Sequence, residues 1–194
     1  SFRYGTFGTQ ELVNTAVDAG VTSLALTNIN STCDTWDFVK FCREAGIKPV
    51  VGAEIRNGNN LEYILLAANN KGFRWINAFL SSHLQEQKPF PTHTENIPFF
   101  DDLWDGYVIY PSGKKELREL LANEHIGILP WEVNKLFGID VNSAGDKLVI
   151  RQPVTFQNKA YYNLHKLLRA IDCNVVGTKL PAEAVCSDQE YFVP

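Results

Sequence analysis

One glutamate and four histidines are the side chains of this sequence that could bind a metal ion or transfer a proton near a strand end. Glu54 lies at the end of the apolar run KPVVGAEI, and His83 follows a segment with helical spacing. Carboxylates and imidazoles are the ligands that Zn²⁺ and Mn²⁺ take in proteins. The other histidines fall in a proline-rich loop, at the start of a strand and inside a helix: His93, His125 and His165.

Other catalytic signatures are missing from the sequence. It contains no GxSxG nucleophile elbow, no GxxxxGK[ST] phosphate loop and no GxGxxG dinucleotide fingerprint. The four cysteines form no CxxC pair, so their spacing predicts reduced thiols rather than a zinc ribbon: Cys33, Cys42, Cys173 and Cys186. Glu54 and His83 therefore remain the candidate metal ligands.

Helical and strand patterns alternate along the chain and would position these residues. Thr9 is the expected N-cap of the first helix, and Gly20 and Gly46 are the expected stops of the first two. Strands separated by helices indicate an α/β fold with mainly parallel strands, although periodicity does not choose between a barrel and an open sheet. Strands are predicted at 22–27, 48–55, 62–68, 107–110, 125–129 and 147–152, and helices at 10–19, 34–45, 72–82, 114–122, 131–137 and 159–173.

In parallel α/β folds, ligands bind beyond the carboxyl ends of the strands. Of the residues expected at those ends, only Glu54 carries a charge, and we expect it to accept hydrogen bonds from the backbone or from Asn28. One carboxylate does not hold a metal ion against water, so the expected site is chemically empty. The remaining strand-end residues are Asn28, Ile29, Asn30, Asn69, Asn70, Pro111, Ser112, Pro130, Pro153, Val154 and Thr155.

Charge and hydropathy exclude further classes. The net charge of −4 argues against a domain that binds nucleic acid by neutralising phosphates. No apolar run reaches the roughly 20 residues of a membrane span, so we expect a cytoplasmic chain with no membrane partner. The absence of methionine suggests a piece of a longer protein. In the proline-rich loop, residues 83–105, exposed aromatics (Phe90, Phe99 and Phe100) are a weak indication of a contact surface.

Several blocks in order resemble the polymerase and histidinol phosphatase (PHP) domain at the N-terminus of bacterial DNA polymerase III alpha subunits. They are the opening SFRYGTFGTQELVNTAVDAGVTSLALTN, AGIKPVVGAEI, LLAANNKGFRWINAFLS and NLHKLLRAID. The resemblance implies a distorted (β/α)7 TIM-like barrel, with a PHP domain at 1–173 and an exit segment at 174–194 that leads toward polymerase regions.

Intact members of that family bind up to three metal ions through His, Asp and Glu at strand ends. The family's Thr-Asp-His corresponds to Thr27, Asn28 and Ile29, and its late Asp-x-His to residues 153–155. Glu54 matches the family's glutamate, and an early His-x-His would fall before Ser1. The resemblance thus implies a degenerate metal pocket formed by Asn28, Ile29, Asn30, Glu54, Pro153 and Thr155, with no catalytic residue and no cofactor.

The leading hypothesis is a scaffold and partner-binding domain of a DNA polymerase III alpha subunit, a nucleotidyltransferase of DNA replication whose chemistry lies elsewhere in the chain. The resemblance implies three partners: the rest of the alpha chain, the proofreading exonuclease subunit and, through the parent protein, DNA. The alternative is an active metal-dependent PHP phosphoesterase or 3′–5′ exonuclease, with Zn²⁺ or Mn²⁺ on Glu54, His83 and N-terminal histidines. A third hypothesis is a free-standing interaction module.

Overall fold

The computed structural model describes residues 1, 3–98, 100, 104–136 and 144–192. The chain forms two compact units. Unit 1 comprises Ser1–Leu24, Cys33–Pro49 and Pro153–Pro194, and unit 2 comprises Ala25–Thr32 and Val50–Gln152.

The strands form a six-stranded sheet in the order β1-β2-β3-β4-β5-β6. All six predicted strands are confirmed, with small differences at their ends. They are β1 (Ser23–Ile29), β2 (Lys48–Asn57), β3 (Asn60–Ala67), β4 (Gly106–Pro111), β5 (Glu124–Ile128) and β6 (Leu148–Ile150). The chain is therefore a mixed α/β protein, and closure of the sheet into a seven-stranded barrel stays a prediction.

The expectation of mainly parallel strands is wrong for the middle of the sheet. β3 is antiparallel to both β2 and β4, whereas β4–β5 and β5–β6 are parallel. Only Gly58 and Asn59 connect β2 to β3, and a two-residue connection forces an antiparallel hairpin. Gly58 has a φ of 61°, a conformation that glycine adopts without steric cost.

The core of unit 2 lies between the sheet and helix α3 (Asn70–Gln85). Asn69 caps α3 by accepting hydrogen bonds from the backbone N–H groups of Lys71 and Gly72. Gly72 lies so close to the chain before β4 that a Cβ there would be 2.0 Å from the Asp105 carbonyl oxygen. The aromatic side chains of this core come from β3, β4, α3 and the proline-rich loop: Tyr63, Tyr110, Phe79, Phe90, Phe100 and Trp104.

Two aromatics predicted to be exposed in the proline-rich loop belong to this core instead. Phe90 and Phe100 are 5% and 4% exposed, and Phe90 packs against Phe79 and stacks on His83. Phe99 lies outside the described residues. The loop is irregular because its prolines and polar residues do not sustain a helix, but its aromatic side chains still fill the core.

Unit 1 contains helices α1 (Thr9–Asp18), α2 (Thr35–Glu44) and α4 (Tyr162–Asp172). α1 and α2 pack together. Gly20 and Gly46 follow the first two helices with φ of 70° and 74°, as predicted. The N-cap of α1 is Gly8 rather than Thr9, which is already the first helical residue.

Two predicted α-helices are 3₁₀ segments instead. Within 114–122 only Leu117–Glu119 is helical, and the Glu116 and Glu119 side chains close a capping box around that single turn. The next segment, Pro130–Leu136, is also 3₁₀, and Phe137 lies outside the described residues. The predicted helix at 159–173 begins with a 3₁₀ turn, Lys159–Tyr161, before α4.

A buried ionic network joins three parts of unit 2. Glu124, the first residue of β5, is fully buried, and its carboxylate accepts a hydrogen bond of 2.6 Å from the Lys115 ammonium. Lys115 also bonds Glu95, and the Thr94 hydroxyl donates to Glu124. The Tyr110 hydroxyl donates to the same carboxylate over 3.2 Å. The network therefore ties β4, β5 and the turn at Thr94 together.

Ionisation in this network follows from burial and pairing. Burial lowers the pKa of the Lys115 ammonium, but its hydrogen bonds to Glu124 and Glu95 outweigh that effect and raise the pKa overall. Burial raises the pKa of Tyr110 to about 12. Lys115 therefore stays charged and Tyr110 stays neutral at neutral pH, which keeps the hydrogen bonds intact.

We expect Lys115→Met to lower the free energy of unfolding by about 3–5 kcal/mol, because it leaves the buried Glu124 carboxylate without its cation. The measurement is denaturant unfolding followed by circular dichroism. Lys88→Met is the control, since Lys88 forms a fully solvated pair with Glu86 and should leave stability unchanged. Equal midpoints for the two variants would contradict the structural role of the network.

Candidate functional site

Glu54, the one acidic residue of the predicted pocket, is paired with an arginine. Arg56 donates two hydrogen bonds to Glu54 Oε2, from Nε at 3.0 Å and from Nη2 at 2.6 Å. Both side chains are only 13% exposed. Both donors reach the same oxygen, and such charge-assisted hydrogen bonds are stronger than those between neutral groups. We expected the partner to be the backbone or Asn28, and sequence reasoning missed Arg56 although it lies two residues along the same strand.

Asn30 follows β1 and holds the end of that strand against β2. Its backbone N–H donates to the Glu54 carbonyl at 2.8 Å. Its side-chain amide pairs with the Arg56 backbone in both directions, because Nδ2 donates to the Arg56 carbonyl at 2.9 Å and Oδ1 accepts from the Arg56 N–H at 2.8 Å. Asn30 has a φ of 47°, a left-handed conformation that asparagine tolerates better than most residues. Its amide is therefore a structural clamp.

The two residues before Asn30 belong to β1 itself. Asn28 is 7% exposed, and Ile29 is the half-buried last residue of the strand. The isoleucine side chain has no lone pair for a metal ion, and a neutral amide is a weaker ligand than a carboxylate. This end of β1 therefore carries no negative charge beside Glu54.

Pro153 and Thr155 belong to unit 1, whereas the other four residues of the predicted pocket belong to unit 2. The Thr155 hydroxyl donates to Glu190 Oε2 at 2.5 Å, and its backbone N–H donates to the Glu190 carbonyl at 2.8 Å. Thr155 therefore anchors the segment after α4. The assembly of all six residues into one pocket stays a prediction.

His83, the second candidate ligand, packs within its own helix and against the core. Its Nδ1 lies 3.0 Å from the Phe79 carbonyl oxygen, and its ring stacks on Phe90 at 5.0 Å between centroids. Within the described residues none of its contacts is to Glu54. The structure therefore does not bring the two candidate ligands together.

His165 and Cys186 form a buried contact in unit 1 that sequence reasoning did not find. His165 Nδ1 is 2.7 Å from the Tyr4 carbonyl oxygen, which accepts only if Nδ1 carries the proton. His165 Nε2 then accepts from the Cys186 backbone N–H at 3.1 Å. Burial raises the pKa of the Cys186 thiol, so this cysteine is a poor nucleophile. The contact is structural, and it packs Cys186, a residue of the predicted exit segment, against α4.

The donor set of the described residues does not fit a metal ion. Among the described residues, no three His, Cys, Asp or Glu side chains are grouped closely enough to hold one. A cation at Glu54 would also have to displace or repel the Arg56 guanidinium. The local geometry instead shows an ion pair between two residues of β2, Glu54 and Arg56.

The family model of the PHP domain matches residues 1–172, so the chain belongs to the PHP domain family. The resemblance found in the sequence blocks is confirmed.

The chain is also similar to parts of three curated bacterial polymerases. It is 26% identical over 113 residues to DNA polymerase III subunit alpha of Pasteurella multocida, covering 53% of this chain and 9% of that protein. It is 35% identical over 109 residues to the same subunit of Halalkalibacterium halodurans, covering 53% and 10%. It is 32% identical over 92 residues to the error-prone DNA polymerase of Symbiobacterium thermophilum, covering 47% and 8%.

The chain matches a tenth or less of the length of each of these relatives. Within the part of the chain that the structure describes, no helix is long and apolar enough to cross a membrane.

The Asn30 clamp yields a direct test. We expect Asn30→Gly to lower the free energy of unfolding by about 1–3 kcal/mol, because it keeps the backbone conformation but removes two hydrogen bonds to the Arg56 backbone. Asn174→Gly is the matched control, since Asn174 has a similar φ of 52° and is exposed. Thermal or denaturant unfolding measures both variants, and equal stabilities would contradict the clamp.

Proposed function

We propose that this chain is a PHP domain of a DNA polymerase III alpha-type protein in which the metal site is degenerate. In this proposal the domain is a structural scaffold and partner-binding module in DNA replication. Nucleotidyl transfer takes place in other regions of the longer polymerase. Membership of the PHP family and the similarity to polymerase chains support the assignment.

The observation that carries the proposal is the Glu54–Arg56 pair. Glu54 matches the family's glutamate, yet its carboxylate is neutralised by a guanidinium two residues away. A divalent cation would need further anionic or imidazole ligands to offset the repulsion from Arg56. Asn28 and Ile29 supply neither.

The alternative is a metal-dependent phosphoesterase or 3′–5′ exonuclease. In this alternative, Glu54 would have to release the Arg56 guanidinium and bind a metal ion. The other metal ligands would have to come from His83 and from histidines before Ser1. His83 contacts its own helix and Phe90 rather than Glu54, so the geometry favours the scaffold.

We expect the purified protein to contain no stoichiometric transition metal by elemental analysis, and to release no product from nucleotides or from DNA 3′ ends with Mn²⁺ or Zn²⁺. Glu54→Ala should leave both results unchanged because the wild-type carboxylate binds no metal. Glu116→Ala is the matched control, since Glu116 also pairs with an arginine two residues along, at 2.8 Å, but on an exposed surface. Activity or bound metal that Glu54→Ala abolishes and Glu116→Ala retains would establish the alternative.

The partner role has its own test. The resemblance implies that the proofreading exonuclease subunit binds this polymerase type, so the natural full-length polypeptide and the exonuclease from the same organism should elute together in size-exclusion chromatography at micromolar concentrations. An unrelated acidic protein of similar size is the control. Separate elution of the polypeptide and the exonuclease would contradict this part of the proposal.

A further inference from the structure

Helix α4 carries an exposed apolar face. Leu164, Leu167 and Ile171 have helical spacing i, i+3 and i+7, and they are 40%, 56% and 57% exposed. Val175 and Val176 follow directly, at 36% and 62% exposed. Together these five residues are called the α4 apolar face.

The opposite side of α4 is buried but polar. His165 and Arg169 are the large buried side chains of the helix. In a helix of a water-soluble protein the apolar residues normally face the core and the charged residues face water. In α4, however, Leu164, Leu167 and Ile171 face outward, while His165 and Arg169 face inward together with Ala170.

Specific hydrogen bonds prevent α4 from rotating to bury the apolar face. His165 is held between the Tyr4 carbonyl and the Cys186 N–H. Arg169 Nε donates to the Ala184 carbonyl at 2.7 Å, and Nη1 donates to Asp172 Oδ2 at 2.7 Å. Any rotation would leave these buried polar groups without partners, at a high cost.

The end of the helix extends the apolar face. Asn174 adopts a left-handed φ of 52°, and the Val175 N–H then donates to the Ala170 carbonyl at 3.0 Å. This is the Schellman arrangement, which folds the residue after the cap back along the helix. Val175 therefore adds to the apolar surface at the carboxyl end of α4.

The area of this surface limits what can cover it. The five residues expose as much surface as about two and a half fully exposed residues of their types. That is well below the roughly 800 Å² that each partner buries in a stable complex between separate molecules. A second copy of this chain would gain too little from this face, whereas a tethered segment does not lose the entropy of association between free molecules.

We infer that the α4 apolar face is the docking surface for an apolar segment of the same polypeptide outside residues 1–194. The inference rests on the proposed function, in which the domain is part of a longer polymerase chain. The curated relatives are about ten times as long as their matching segments, and the family match ends at residue 172, the last residue of α4. The occupant is an uncharged apolar surface, since the face itself consists of aliphatic side chains.

The test uses the natural full-length polypeptide, in which Leu167→Cys and Val17→Cys are made separately. Val17 is the matched control because it is an aliphatic residue of another helix in unit 1 and is 45% exposed. Both variants are treated with N-ethylmaleimide, and peptide mass spectrometry resolves the new thiol from that of the exposed Cys33. We expect the thiol of the Leu167→Cys variant to react at least about tenfold more slowly, because it opens to solvent only when the segment detaches.

A second measurement avoids any disturbance by the new thiol. Hydroxyl-radical footprinting of the unmodified polypeptide should oxidise Leu167 and Ile171 less than Val17. Similar oxidation of all three residues would overturn the inference. It would also be overturned if dilution of the polypeptide removed the protection and, in sedimentation, converted a dimer to a monomer. Neither experiment measures metal content or phosphoesterase activity. A negative result here would therefore contradict the docking surface without contradicting the proposed loss of metal chemistry.

Discussion

The pairing of Glu54 with Arg56 is the ionic interaction on which this part of the sheet depends. Two hydrogen bonds from one guanidinium satisfy a half-buried carboxylate that would otherwise attract a cation. Because Asn30 pairs with the Arg56 backbone and donates to the Glu54 carbonyl, the same few residues also hold β1 onto β2. Glu54 and Arg56 thus take part, through their backbone groups, in holding β1 against β2.

The sequence predicted the six strands well because each is a short apolar run bounded by turn residues. It did not predict their directions. A hairpin and a crossover leave similar apolar patterns, and only the two-residue connection at Gly58 and Asn59 distinguishes them. The prediction of a helix at 114–122 was wrong although its hydrophobic spacing is helical. Its glutamates cap a single turn, and Lys115 forms part of the buried ionic network.

The candidate site was predictable in part. Listing strand ends identified Glu54 and the neutral residues Asn28, Ile29 and Asn30, because those side chains are visible in the sequence. Arg56 was not identified, because the sequence does not show whether an arginine in a strand is buried beside a carboxylate or exposed to water. The Lys115–Glu124 pair escaped for the same reason, and the inward-facing His165 and Arg169 reverse the pattern on which helix predictions depend.

The close approach of Gly72 to Asp105 shows where this fold is intolerant of change. A residue that binds a metal can be exchanged for another polar residue while the backbone stays in place. A single methyl group at position 72 would overlap the carbonyl oxygen of Asp105 and push the first turn of α3 away from the segment leading into β4. The start of α3 is therefore a place where the fold does not accept even one added carbon atom.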